Sequence, residues 1–89
     1  LEAEDVIPNL NVYPNPSRDI FNISFTSETI QDLQVRVLNV VGEIVFIDDL
    51  KSFEGEYNNS LSLNKYSKGI YLLEIDTDNG IINKKLILQ

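Results

Sequence analysis

Apolar and polar side chains alternate along most of this chain with the period of a β-strand, not of a helix. In residues 20–26, Phe21, Ile23 and Phe25 fall on one face and polar side chains on the other. The same alternation recurs in residues 32–38 and in two later runs. The inward faces of these later strands are expected to be Leu33, Val35, Val37, Leu61, Leu63, Tyr71, Leu73 and Ile75.

Turn residues separate the apolar runs about every eight to twelve positions, a spacing that predicts an antiparallel sandwich or barrel. Residues 39–42 have the composition of a turn, and Asn79 with Gly80 predicts a type I′ hairpin turn. The acidic stretch 48–56 is expected to be a loop. The run 44–47 is apolar on both faces, which predicts a deeply covered strand.

Short apolar segments at residues 12–13 and 81–88 complete a set of about seven strands. No window keeps a helical period between helix caps, so no helix is expected. The sequence therefore predicts an all-β fold, and more specifically an immunoglobulin-like antiparallel β-sandwich of about seven strands.

Two prolines stand directly ahead of the best strand, in the segment Tyr13-Pro14-Asn15-Pro16. Proline has no backbone donor, so neither residue can lie in the middle of a sheet. Each proline also favours an extended conformation for the residue before it. We expect a stiff, extended edge piece that turns the chain into the strand at Ile20.

A second constellation, Leu63 to Tyr71, places a Gly and a Tyr at the start of a late strand. This arrangement predicts a tyrosine corner, in which the Tyr71 hydroxyl bonds to the backbone of the preceding loop. Gly69 would supply the bend. A structural role for Tyr71 is favoured over a binding role.

Composition narrows the possible functions. The 89 residues make one domain, and we expect residues 1–10 to be a linker and residues 11–89 to be the folded domain. The chain has no Cys and no His, so it has neither a thiolate metal site nor the pair needed for a Ser-His-Asp nucleophile. We expect no enzymatic activity, no catalytic residues and no cofactor.

The net charge argues against two classes of binding partner, nucleic acid and anionic membranes. The formal net charge is −7, which opposes binding to nucleic acid and to anionic membranes. No apolar run approaches the roughly 18–20 residues of a membrane span. The charge is uneven, because residues 1–57 carry −8 and residues 58–89 carry +1. The favoured interpretation is a solvated acidic surface that aids solubility. The alternative is that the nearly neutral C-terminal end meets a partner.

No metal site is expected either. Residues 76–80, DTDNG, place Gly80 at the fifth position, whereas a calcium-binding EF-hand loop needs Gly at the sixth. The hairpin interpretation is therefore preferred. A second acidic group lacks the flanking ligands that calcium needs, and it consists of Asp48, Asp49, Glu54 and Glu56.

The chain ends in the basic pair Lys84-Lys85 followed by an apolar run. This last strand can be docked in the sheet, or it can offer an accessible edge to which another protein adds a strand. The docked arrangement is favoured from the residues alone, and both remain open.

Four segments stand in a characteristic order: YPNPSRD, NVVGEIV, KGIYLLEI and KKLILQ. Together they resemble the C-terminal sorting domain of proteins exported by the type IX secretion system, over nearly the whole of residues 11–89. The resemblance implies a non-catalytic β-sandwich tail on a cargo domain that lies upstream in the same chain. It implies transit through the periplasm, shuttle proteins and an outer-membrane translocon as partners, and delivery to the cell surface or the medium.

The resemblance also implies that a sortase-like surface peptidase removes the tail, with a cut in or before residues 1–11. The cargo is then released or attached to lipopolysaccharide. The sorting-motif positions that the resemblance carries over are Pro14, Asn15, Pro16, Gly69, Tyr71, Lys84 and Lys85.

An alternative function is a non-catalytic fibronectin-like or carbohydrate-binding module of an extracellular protein. Such a module would use an exposed aromatic platform, for which Tyr57 and Tyr66 are the candidates. A hydrolase that uses carboxylates alone would need two acids converging in a cleft, and a chain this small is not expected to form one.

Overall fold

A computed structural model describes residues 7–89 of the chain. These residues form an all-β fold, and no helix occurs among them. The strands are β1 (Asn11–Tyr13), β2 (Ile20–Leu38), β3 (Ile44–Ser62), β4 (Gly69–Thr77) and β5 (Gly80–Leu88). The prediction of an all-β fold without helices is thus confirmed for the part of the chain that the structure describes.

All strand pairs in the sheet are antiparallel, and β2 is its central strand. β3 runs along the whole of β2 on one side. On the other side, β1 pairs with the first half of β2 and β4 with the second half, as in Val35 opposite Ile75. β5 pairs with β4.

The two long strands bend sharply in the middle. A straight strand of 19 residues would extend about 60 Å, whereas the longest dimension of the molecule is 35 Å. The bend lies where the pairing of β2 with β3 shifts register, between Ser27 and Leu33. Opposite it in β3, Ser52 takes a positive φ of 48°, and its N–H donates to Asp32 Oδ1 at 2.9 Å. The sheet therefore curls back on itself.

The sequence predicted about seven strands, but the structure has five strands in residues 7–89. The two predicted strands at residues 20–26 and 32–38 are halves of β2. The predicted loop at residues 48–56 is likewise part of β3, which continues through it. The reason is that Phe53 packs edge-on against Phe25, with ring centroids 6.3 Å apart, so this acidic segment is held on the sheet.

Curling brings both halves of β2 to one hydrophobic core. The predicted inward positions are confirmed, with the exception of Leu61, which is only partly buried. Five further residues that the pattern did not name as inward are also buried: Ile7, Val12, Tyr57, Leu86 and Leu88. The core comprises Ile7, Val12, Phe21, Ile23, Phe25, Leu33, Val35, Val37, Tyr57, Leu63, Tyr71, Leu73, Ile75, Leu86 and Leu88.

Two local predictions are wrong. The run 44–47 is not deeply covered, because Ile44 and Ile47 are each about half exposed on β3, which among residues 7–89 pairs only with β2. The last hairpin is tight, as expected, but Asn79 does not have the positive φ of a type I′ turn. Only Gly80 takes a positive φ there, at 124°, as the first residue of β5.

Tyr57 lies at the centre of an aromatic cluster inside the curl. Its ring stacks on Phe25 with centroids 4.7 Å apart and contacts Phe53 edge-on at 6.2 Å. Its hydroxyl donates to Asp48 Oδ2 at 2.8 Å and accepts from Asn59 Nδ2 at 3.1 Å. Burial, together with the Asp48 carboxylate, raises the pKa of Tyr57 to about 12.

This pKa predicts a loss of stability at high pH. Because the folded pKa is above the unfolded value of 10, the contribution is fully present below pH 10 and is lost as the pH rises through about 12. A titration of tyrosinate absorbance should show a late phase near pH 12 that is missing in Tyr57→Phe. A difference between the two titrations that is centred near pH 10 would contradict the assignment.

Candidate functional site

The Tyr-Pro-Asn-Pro segment crosses from the first strand of the sheet to the last. β1 ends at Tyr13, whose carbonyl accepts a hydrogen bond from Asn22 Nδ2 at 3.0 Å. Residues 14–16 then bend, and both X–Pro bonds in the segment are cis. The prediction of an extended edge piece therefore holds only as far as Tyr13. Beyond it, the chain turns toward the outer edge of β5.

Asn15 takes the place of a strand residue at that edge. Its Nδ2 donates to the carbonyl of Lys85 at 2.8 Å, and its Oδ1 accepts from the N–H of Ile87 at 3.0 Å. A carboxamide offers one acceptor and a donor much as a peptide group does. The Asn15 side chain thus satisfies two backbone groups of β5 that an adjacent strand would otherwise bond.

Ser17 continues the same contact with its backbone. Its N–H donates to the carbonyl of Ile87 at 2.9 Å, and its carbonyl accepts from the N–H of Gln89 at 2.8 Å, which makes a short parallel bridge. The Ser17 hydroxyl donates to the carbonyl of Ile20 at 2.6 Å. Ser17 is buried, and sequence reasoning missed its role because a lone Ser in a polar turn carries no distinguishing pattern.

The terminal strand is therefore docked on both sides near its end. β4 pairs with one edge of β5, and residues 15–17, here called the edge segment, cover the other edge from Lys85 onward. Leu86 and Leu88 are buried, whereas Lys84 and Lys85 are exposed. Of the two arrangements that the sequence left open, the docked one is observed. Within residues 7–89, no strand lies beside the outer edge of β5 ahead of Lys85.

Gly69 and Tyr71 lie across from the same end of β5. Gly69 pairs with Leu88 and Tyr71 with Leu86. The Tyr71 hydroxyl donates to the carbonyl of Ser67 at 2.5 Å, which confirms the predicted tyrosine corner. Gly69 has a φ of 142°, in the region that favours glycine, so it can start β4 directly after the loop.

Residues from three distant parts of the chain thus meet at one strand. The edge segment contributes Asn15, the start of β4 contributes Gly69 and Tyr71, and β5 contributes its own lysines. The Lys68 ammonium also contacts the backbone carbonyl of Gln89. The arrangement holds backbone edges in fixed positions beside exposed positive charges.

Among residues 7–89, the aromatic and acidic side chains on which the alternative functions depend are not grouped into a site. Tyr57 is buried in the core and cannot form a platform, and the half-exposed Tyr66 donates its hydroxyl to the Val45 carbonyl at 3.2 Å. Among residues 7–89, no group of three acidic side chains is suitably placed for a metal ion. The Glu74 and Asp76 carboxylates face Arg36 at 2.9 and 3.5 Å.

Removing the Asn15 carboxamide should loosen the end of the terminal strand. We expect Asn15→Ala to lower the free energy of unfolding by about 1–2 kcal/mol, since it deletes two hydrogen bonds at a partly hydrated edge. The Ile87 amide should also exchange faster with solvent. Denaturant unfolding and amide hydrogen exchange would measure these effects. Asn64→Ala, in an exposed loop, is the matched control, and protection of Ile87 equal to wild type would refute the bridging role.

Comparison with known proteins agrees with the resemblance noted in the sequence. No curated protein matches the chain. The family model described as "Secretion system C-terminal sorting domain" matches residues 11–89, which is most of the chain. The structure contains no helix long and apolar enough to cross a membrane among the residues it describes. The chain therefore belongs to the family of C-terminal sorting domains, and its function is that of a sorting signal for type IX secretion.

Proposed function

We propose that the secretion machinery reads the end of the terminal strand together with the edge segment that covers it. The sorting positions in this proposal are Pro14, Asn15, Pro16, Gly69, Tyr71, Lys84 and Lys85. The observation that supports this proposal is the pair of hydrogen bonds from the Asn15 side chain to the backbone of Lys85 and Ile87. These bonds join the first motif to the last. A receptor that binds the surface around Asn15 and the end of β5 contacts both motifs at the same time.

The residues have different tasks in this proposal. Pro14 and Pro16 restrict the backbone on either side of Asn15, so that its carboxamide is held ready for the strand. Gly69 and Tyr71 fix the opposite edge through the tyrosine corner. Lys84 and Lys85 are exposed and supply positive charge to a receptor surface.

The domain is the sorting signal of a longer chain that also contains the cargo. Residues 1–10 link it to an upstream cargo domain, and residues 11–89 are the sorting domain, to whose core Ile7 adds its side chain. The cargo passes the periplasm with shuttle proteins and the translocon, and then reaches the surface or the medium. A sortase-like surface peptidase removes the tail, with a cut ahead of Ile7, whose buried side chain belongs to the core.

The immunoglobulin-like arrangement expected from the sequence remains a prediction. The bend in β2 and β3 supports it, since each long strand contributes to both sides of one core. The domain itself performs no catalysis in this proposal and takes no cofactor. Its role is to present a folded surface.

An export assay tests which residues are read. Residues 1–89 are fused behind a reporter with a periplasmic signal peptide, in a host with type IX secretion. Lys84→Glu combined with Lys85→Glu should lower the reporter in the medium about tenfold or more, which corresponds to about 1.4 kcal/mol of lost recognition. Both side chains are exposed, so the fold should persist, and circular dichroism of the purified variant checks this.

The control is the same charge reversal at the far end of the molecule. Lys51→Glu removes an exposed ammonium 3.9 Å from Asp49 and should leave export unchanged. Removal of residues 84–89 is a less informative variant, because it also deletes the core residues Leu86 and Leu88. Normal export of a folded Lys84/Lys85 double variant would exclude these lysines from the signal.

A further inference from the structure

The curl gives the molecule two chemically different ends. At the bend end lie the bends of β2 and β3 and the β4–β5 hairpin, and at the turn end lie the β2–β3 turn, the loop before β4 and the end of β5. The bend end carries one lysine, Lys51, and eight acidic residues, Glu28, Asp32, Asp48, Asp49, Glu54, Glu56, Asp76 and Asp78. The turn end carries two acidic residues, Asp19 and Glu43, and five basic ones, Arg18, Lys65, Lys68, Lys84 and Lys85.

The β2–β3 turn at the basic end is built rigidly around Asn39. Its side-chain Oδ1 accepts from the N–H groups of Val41 and Glu43 at 3.1 and 2.9 Å, and its Nδ2 donates to Glu43 Oε1 at 2.8 Å. Its backbone N–H donates to the Glu43 carbonyl at 2.9 Å, and its carbonyl accepts from the N–H of Gly42 at 3.0 Å. These five hydrogen bonds hold the tip of the turn in one conformation.

This rigid tip presents two valines to solvent. Val40 is 79% exposed and Val41 is 74% exposed, the highest values among the large apolar side chains of residues 7–89. Turn tips normally carry Gly, Asn, Asp, Ser or Pro. Neither the core nor the tyrosine corner uses these two side chains, so the fold alone does not account for them.

The valines line a recess at the turn end. Tyr66, Ile70 and Lys68 line it as well. The recess has a volume of about 310 Å³. Ile70 is half exposed and Tyr66 is 41% exposed, so the apolar surface is open to a partner. The recess adjoins Gly69 and Tyr71, which places it beside the end of the terminal strand.

We propose that this turn-end recess binds a partner protein that inserts an apolar side chain between Val41 and Ile70 and brings carboxylates to Lys65 and Lys68. This interaction rests on the proposed function, and it adds an anchoring contact beside the terminal strand. The partner is acidic because the charged side chain that lines the recess, Lys68, is basic and the exposed Lys65 lies in the same loop. Opposite charges steer association and fix orientation. The acidic bend end is repelled by the same partner, so the domain approaches with its turn end first.

The shape and the charges favour this occupant over two others. A rigid concave recess accommodates a protruding side chain, and preorganised walls lower the ordering cost of binding it. Two copies of the domain meeting through this face would oppose their basic ends, which is unfavourable. A lipid surface is broad and flat, so it would cover the rim of a concave recess without filling it.

The first test uses the reporter fusion. Val40→Ser combined with Val41→Ser should lower export about tenfold, the change expected from about 1.4 kcal/mol of lost binding. Ile30→Ser is the matched control, because Ile30 is 67% exposed but lies at the bend end, and its export should match wild type. Thermal unfolding of both purified variants should show that they are folded.

The second test measures binding directly by NMR with two synthetic peptides. One peptide has a single Leu flanked by Glu residues, and the other has Lys in place of each Glu. The acidic peptide should shift the amides of Val41 and Ile70, more weakly in Lys65→Glu and at high salt, whereas the basic peptide should not. Equal binding of both peptides, or of neither, would overturn the charge assignment.

Further outcomes separate the competing explanations. Failure of the unaltered fusion to leave the cell would reject the proposed function itself. Export of the unaltered fusion together with undiminished export of the valine variant would reject the recess alone. Flotation of the wild-type domain with phosphatidylglycerol vesicles, lost in the valine variant, would replace the protein partner with a lipid surface. A dimer in sedimentation equilibrium that the valine variant abolishes would replace it with a second copy.

Discussion

The contact on which the rest of this structure depends is the one between the edge segment and the end of the terminal strand. The sheet is open, and β5 is the last strand in its order. Asn15 and Ser17 satisfy backbone groups of Lys85, Ile87 and Gln89 from the outer side. An unpaired strand edge invites pairing with other chains, so this cover protects the very strand that ends the domain. It also ties residues about 70 positions apart in sequence into one surface.

The cover matters because the core is small and the terminal strand is part of it. Leu86 and Leu88 are almost fully buried against a core that is assembled from every strand of the sheet. The last residues of a chain are usually poorly ordered unless something holds them. Here β4, the edge segment and Lys68 hold them from several directions. In the function proposed above, the sorting signal made of these residues is therefore a folded surface that exists only once the strand has docked.

The bend in the two long strands explains why charge is so unevenly distributed. It places the acidic middle of β3 and the acidic hairpin after β4 at the same end. The lysines of the last loop and last strand, together with Arg18, collect at the opposite end. The tyrosine corner and the Asn39 turn give that basic end fixed geometry. The two most exposed large apolar side chains, Val40 and Val41, thus share one end of the molecule with most of its basic side chains.

The sequence by itself determined most of the strand-forming runs, most of the inward faces and the tyrosine corner, because alternation and turn chemistry are local properties that period-2 patterns report directly. The family also followed from local motifs in a characteristic order. Only the tertiary structure decided that residues 20–38 and 44–62 are single bent strands, since Phe53 stays on the sheet through contact with Phe25, a neighbour far away in sequence. It likewise decided that Tyr57 is buried and that Asn15 bonds the last strand. Those outcomes depend on contacts between residues far apart in sequence, which form when the sheet curls. A local pattern of polar and apolar residues carries no information about such contacts.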